Sequence, residues 1–190
     1  SEFLADKADV IAVSGPAEMP DCVMLSRGRM LFVPIASPGY LKENGPLDSC
    51  SALQGQRIFS NLYADRFSFS VTYPLKKGSQ LVTVRGIETV RWSSVDMALQ
   101  AVKDGLGVSP SMPLFHCIDD LEKGLVVPIL NGWHRPCQEN FIACRKAGWS
   151  VPHIRAFTTW WAGELLAHEQ RCEARLEKLF GKAFLEELST

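Results

Sequence analysis

Along this chain, short apolar runs bounded by Gly, Pro and Ser alternate with stretches whose apolar residues recur at helical spacing. That alternation predicts an α/β domain with largely parallel strand pairing. Asp9 to Val13 reads as a buried strand broken by Ser14-Gly15-Pro16. Cys22 to Leu25 and Met30 to Ala36 read as extended segments around a tight turn at Arg27-Gly28-Arg29. Ser37-Pro38 is a helix start, since Ser caps free N–H groups and Pro at the first position loses no hydrogen bond. That helix ends near Asn44-Gly45-Pro46, and a second small one covers Ser49 to Leu53. Arg57 to Ser60 is the next strand, leading into a loop over Asn61 to Arg66.

Phe67 to Tyr73 and Leu81 to Trp92 are rich in β-branched and aromatic residues and read as a hairpin-like pair separated by Lys76-Lys77-Gly78-Ser79. Ser93-Ser94 opens a helix with Val95, Ala98, Leu99 and Val102 on one face, stopped by Lys103 and Gly105. Leu106 to Ser109 is a very short strand, Met112 to Leu121 a helix stopped by Gly124, and Leu125 to Leu130 and Asn140 to Lys146 strands. Ser150 and Pro152 start a long C-terminal helix with Ile154, Phe157, Trp161 and Leu165 on its buried face. The helical pattern continues past His168 through Leu176, Leu179, Phe180 and Phe184. Five small polar residues, Ser14, Ser37, Ser60, Ser94 and Ser109, end short strands beside a helix start or loop. Ligands of open α/β sheets bind outside the carboxyl ends of strands, where hydroxyls and free helix N–H groups suit anions. Singly, each serine reads as a cap or turn former; the set carries more weight.

A formal net charge of −1, with basic residues scattered among acids, argues against direct nucleic-acid binding. No apolar run approaches the roughly 18 residues of a membrane span, and the N-terminus lacks a secretory pattern. The six cysteines, Cys22, Cys50, Cys117, Cys137, Cys144 and Cys172, match no zinc spacing and read as reduced thiols of a cytoplasmic protein. His116, His134, His153 and His168 lack metal-ligand spacing, and no G-x-S-x-G, P-loop or G-x-G-x-x-G occurs. Neither cofactor nor metal is expected. His116 beside Cys117 suggests a nucleophile pair, but helical neighbours point in different directions. The expectation is a protein without enzymatic activity.

ADVIAVSG, the extended run into IASPGYL, SSVDMALQAVKDGLGVSPSMP and LEKGLVVPIL together resemble the effector-binding domain of LysR-type transcriptional regulators. NFIACRKAGWSVPHIRAFTTWWAGEL is similar to that family's closing strand and C-terminal helix. The resemblance runs from about Ala8 to Leu165. It implies a periplasmic-binding-protein-like fold (type 2) of two α/β lobes joined by crossover strands. Residues 1–36 and 136–190 would belong to the first lobe and 37–135 to the second. Effector contacts carried over by position are Ser14 in the first lobe and, in the second, Phe59, Ser60, Asn61, Ser93, Ser94, Val95, Val108 and Ser109. These offer hydroxyls, a helix N-terminus and modest apolar surface, suited to a small organic acid and open to a neutral ligand as well.

The family's winged helix-turn-helix, its linker helix and the first strand and helix of the first lobe have no counterpart before Leu4. DNA would be met only through such an N-terminal domain. The incomplete first lobe is expected to leave apolar surface exposed and to promote association. The resemblance further implies homodimers or tetramers, whose geometry an effector would shift. The Trp160-Trp161 pair suits a core, or else such an interface. A solute-binding protein of similar fold is the alternative reading, against which the cysteines and the absent signal both count.

Overall fold

In the computed structural model, residues 8–15, 19–61, 72–86, 88–92 and 94–189 are described. The chain divides into two units. One comprises the described residues up to Met30 together with Gln138–Cys172; the other comprises Leu31–Cys137 and the residues from Glu173 onward.

In the first unit, β10 (Gln138–Arg145) lies between β1 (Val10–Ser14) and β2 (Cys22–Met30), antiparallel to both. The tight turn expected at Arg27-Gly28-Arg29 is absent, and β2 runs straight through it. Glu139 pairs with Arg29 and Phe141 with Ser26, so Arg27 and Gly28 together oppose Asn140 in a β-bulge. Gly28 takes a left-handed φ of 92° there, with Leu166 and Glu169 close against it. A short helix, α4 (Lys146–Trp149), leads into α5 (Pro152–Phe180). The residues of α5 that bury in this unit are Thr158, Ala162, Glu169 and Cys172. The expected face of Ile154, Phe157, Trp161 and Leu165 is therefore rotated. Phe157 is 46% exposed and Trp160 58%, with rings 5.7 Å apart, so the core reading of the tryptophan pair fails for Trp160.

The bulge leaves an uncompensated polar residue. Asn140 is buried, and neither Oδ1 nor Nδ2 finds a hydrogen-bond partner; Arg27 Nε is buried without one as well. Burial lowers the Arg27 pKa, and the neighbouring Glu169 carboxylate opposes that shift.

In the second unit, β3 (Phe32–Ala36), buried along its whole length, lies between β8 (Ser109–Pro113) and β9 (Val127–Pro128), antiparallel to both. β4 (Arg57–Asn61) pairs in parallel with β7 (Glu88–Trp92), and Ile58 bridges in parallel to Val108 on its other side. Pairing among the described strands is thus mainly antiparallel, which corrects the expected parallel sheet. A parallel pair needs a long crossover, and between β7 and Val108 α2 (Val95–Lys103) provides one. The segment read as one strand from Leu81 to Trp92 is broken. β6 (Gln80–Arg85) forms the hairpin with β5 (Thr72–Lys77) around Gly78-Ser79, and β7 joins β4. The remainder of the first hairpin strand, Phe67 to Val71, and most of the loop after Asn61 lie outside the described residues.

Helices follow their caps. Ser37 caps α1 (Pro38–Asn44) by accepting from the Tyr40 N–H at 3.3 Å, and Gly45 closes it with a φ of 79°. Cys50–Gly55 is a 3-10 turn, and α3 (Leu114–Glu122) starts two residues later than expected because Met112 and Pro113 pair with β3. The strand expected over Leu125 to Leu130 shrinks to β9, since the chain turns left-handed at Leu130 and Asn131. The last helix is α6 (Lys182–Leu188). Around β4 the core gathers Leu53, Ile58, Leu75, Val108 and Leu130, each fully buried.

Two glycines let the neighbours close on β4. A Cβ at Gly107 would stand 2.4 Å from the Arg57 carbonyl oxygen, and one at Gly86 would stand 2.7 Å from both the Gln56 oxygen and the Ile58 side chain. Gly107→Ala should therefore cost about 1–3 kcal/mol by overpacking. In α1, Gly39→Ala meets nothing within 4 Å and should be neutral or slightly stabilising. Urea unfolding of the two variants checks this, and equal midpoints would contradict it. In the first unit, Asn140→Leu removes an unmet donor and acceptor and should leave stability unchanged or raised by about 1 kcal/mol. A clear loss of stability would show that the amide is satisfied in solution.

Candidate functional site

The second unit brings three chain segments to one end of a small parallel array. Asn61, the last residue of β4, pairs with Trp92, the last of β7. Phe59 donates its N–H to the Val108 carbonyl at 2.8 Å, and Val108 donates to the Arg57 carbonyl at 3.0 Å. The carboxyl ends of β4, β7 and the 107–109 segment therefore point the same way, where an α/β sheet meets its ligands. Directly after β7, Ser94 is the N-cap of α2, its Oγ accepting from the Met97 N–H at 3.4 Å. Ala98, Leu99, Ala101 and Val102 bury the opposite side of that helix, so its first turn is held in place by core packing.

Seven of the nine expected contact residues, Phe59, Ser60, Asn61, Ser94, Val95, Val108 and Ser109, belong to this array. Their accessibility differs. Phe59, Val108 and Ser109 are buried, whereas Ser94 and Val95 are half-buried. Ser60 and Asn61 are placed by their backbone pairing with Arg91 and Trp92. Ser93 lies outside the described residues. Ser14 belongs to the first unit, where it ends β1 exposed, paired with Asn140 and followed by Gly15 at a φ of 84°.

One feature of the array escaped sequence reading. Asp96, in the first turn of α2, lies 3.0 Å from His116 Nδ1 on α3. An acidic residue at a helix start is a common dipole partner, so nothing in the sequence marked this one for a histidine. It places a carboxylate beside the free N–H groups at the start of α2. The pair also disposes of the nucleophile idea, because Cys117 is fully buried while its neighbour His116 turns to Asp96.

A concavity of about 320 Å³ lies at the other end of α2. It is bounded by Ser37, Tyr40, Glu43, Lys103, Asp104 and Leu125, among others. Several of its polar groups are committed to residues outside its lining. Lys103 pairs with Asp120 at 3.0 Å, Asp104 accepts from Gln100 at 2.8 Å, and the Tyr40 hydroxyl donates to Gln56.

All six cysteines are free thiols, with Cys117, Cys144 and Cys172 buried. Burial raises the pKa of Cys22 and Cys50, which disfavours the reactive thiolate. Among the described residues there is no group of three or more potential metal ligands, and no helix is long and apolar enough to cross a membrane.

Residues 1–165 match the family described as the LysR substrate binding domain. The HTH-type transcriptional repressor PA14_22550 of Pseudomonas aeruginosa is 26% identical over 125 residues, covering 66% of this chain and 39% of that protein. Among solved structures, full-length AphB, the Vibrio cholerae virulence activator, aligns with a TM-score of 0.68 at 21% identity, over 82% of this chain and 51% of AphB. The regulatory domain of CrgA, a LysR-type regulator from Neisseria meningitidis, aligns with a TM-score of 0.68 at 17% identity, over 86% of this chain and 78% of that one. These structural likenesses establish the fold, which is periplasmic-binding-protein-like. The chain spans about half the length of full-length AphB and less of the repressor. By the match over residues 1–165, this chain belongs to the LysR substrate-binding domain family.

Proposed function

We propose that this chain senses a small metabolite on behalf of a LysR-type transcription regulator, and that DNA is contacted by a separate N-terminal domain of the longer protein. The reading rests chiefly on the convergence of the β4, β7 and 107–109 carboxyl ends beside the capped N-terminus of α2. In this reading Ser60, Asn61, Ser93 and Ser94 supply the polar contacts, Val95 adds apolar surface at the start of α2, and Phe59, Val108 and Ser109 form the packed floor behind them. A regulator of this kind works by coupling, with the effector favouring one arrangement of a dimer or tetramer over another. The lobe boundaries, 1–36 with 136–190 and 37–135, are part of the same proposal.

Asp96 narrows the class of effector. A fully anionic group at the α2 N-terminus would meet this carboxylate as well as the free N–H groups. The array thus favours a hydroxy acid or a neutral polar metabolite over a multiply charged acid.

A thermal-shift screen of hydroxy acids, amino acids and neutral metabolites tests the proposal. A true effector at about 100 times its Kd should stabilise the chain by about 2.7 kcal/mol. Ser94→Ala should lower intrinsic stability by about 1 kcal/mol through loss of the cap and should also abolish most of the effector-dependent shift. Ser49→Ala is the control, because Ser49 precedes a 3-10 turn without a side-chain capping bond. A binder whose shift is unchanged in Ser94→Ala would refute the placement, and turnover of any substrate by the purified chain would refute the non-enzymatic reading.

A further inference from the structure

The C-terminal end of the second unit holds a buried titratable group that effector recognition does not use. His134 is fully buried. Its backbone is locked to β5 by a reciprocal pair: Lys76 donates to the His134 carbonyl at 2.7 Å, and His134 donates to the Lys76 carbonyl at 3.0 Å. Nδ1 lies 2.9 Å from the Arg135 carbonyl oxygen. The neutral ring therefore carries its proton on Nδ1 and donates it there. Nε2 is left as a bare acceptor, buried, with no hydrogen-bond partner.

The turn that delivers this ring is strained. Leu130 and Asn131 both adopt left-handed φ values, 67° and 45°, and Gly132 continues at 87°. Two successive non-glycine residues in that region persist only where the surroundings hold them. Two groups do so here. Lys77 Nζ donates to the Asn131 carbonyl, and α6 closes over the turn. Leu188 of α6 is buried, and the Glu187 carboxylate sits so near Gly132 that any Cβ there would overlap it. Just beyond α6, the Ser189 carbonyl accepts from the Cys137 thiol at 3.4 Å.

We propose that His134 is an acid-operated latch for α6, so that protonation of its imidazole releases the C-terminal helix and further exposes Cys137, which is half-buried while α6 is closed. The groups around the ring decide the sign. Loss of hydration is the largest influence and disfavours the charged ring. The Arg135 carbonyl opposes it, Lys76 on β5 reinforces it, and the Glu187 carboxylate and carbonyl on α6 oppose it without reversing the balance. The latched state therefore holds His134 below its ordinary pKa, while a released, hydrated ring returns to about 6.5. Latching is complete above that value. It weakens as pH falls below it, because the released state then binds the proton more tightly. Release begins at the terminal helix, since seven residues give way more readily than the core around β4.

Site-resolved labelling of the 190-residue chain tests the latch. The thiols are reacted with 4,4′-dithiodipyridine, which works in acid, and Cys137 is quantified by mass spectrometry relative to Cys50 of the same unit. Between about pH 7.5 and about pH 5, the relative rate at Cys137 should rise by up to about thirty-fold, the factor set by a released pKa near 6.5. His134→Asn, whose amide N–H can still meet the Arg135 carbonyl, should flatten the profile. Leu188→Ala should raise the rate already at neutral pH. A flat wild-type profile, an undiminished rise in His134→Asn, or equal opening of all six cysteines would overturn the proposal. If His134→Asn does not fold, proton NMR of the wild-type imidazole decides: Cys137 exposure must share its midpoint with the His134 resonances, and separate midpoints overturn the latch.

Discussion

The second unit depends on how closely its chain can approach β4. Gly86 and Gly107 flank that strand, and neither could carry a side chain without overlapping the backbone or side chains of residues 56–59. Their smallness lets Val108 bond the Arg57 and Phe59 backbone on one side and β7 pair with β4 on the other. Once these contacts form, the carboxyl ends of the segments align and α2 must begin beside them. Its N-cap is thereby fixed at the rim of the array, and its C-terminus at the 320 Å³ concavity some 13 Å away, the length of nine helical residues. The position of the proposed effector contacts thus follows from steric facts about two glycines as much as from the serines themselves.

Capping residues made part of this legible in advance. Ser37-Pro38 and Ser94 announce helix starts through local chemistry that tertiary packing does not override, and both caps form. The features that escaped were set by partners distant in sequence. Arg27-Gly28-Arg29 has turn composition, yet β10 recruits it as a bulge opposite Asn140. Leu81 to Trp92 has continuous strand character, and the break at Gly86 arises because β7 leaves the hairpin to join β4. Pro113 is drawn into β8 by pairing with Phe32, which shortens the helix behind it.

On α5 the amphipathic pattern misled for a related reason. Its aromatic residues were the strongest apolar signal, but the positions facing inward in the first unit include Thr158, Ala162 and Glu169. Leu166 and Glu169 of this helix lie against Gly28 in the bulge, while Phe157 and Trp160 face outward. A buried Glu169 beside Arg27 is invisible to any hydrophobicity argument, because it is stabilised by its charged neighbour and not by transfer from water. In the candidate site, the serine set pointed to the carboxyl end of the array but overstated its hydroxyls, since Ser109 is enclosed. The Asp96–His116 pair, which bears on ligand charge, required both helices to be in place.

The central claim is that effector recognition occurs at the N-terminal end of α2. Backbone amide chemical shifts, followed by NMR while the best-stabilising metabolite is titrated in, address it directly. The account predicts the largest changes at Asn61 and from Ser94 to Asp96. Changes confined to Ser37–Tyr40 and Lys103–Gly105, at the opposite end of the same helix, would contradict it.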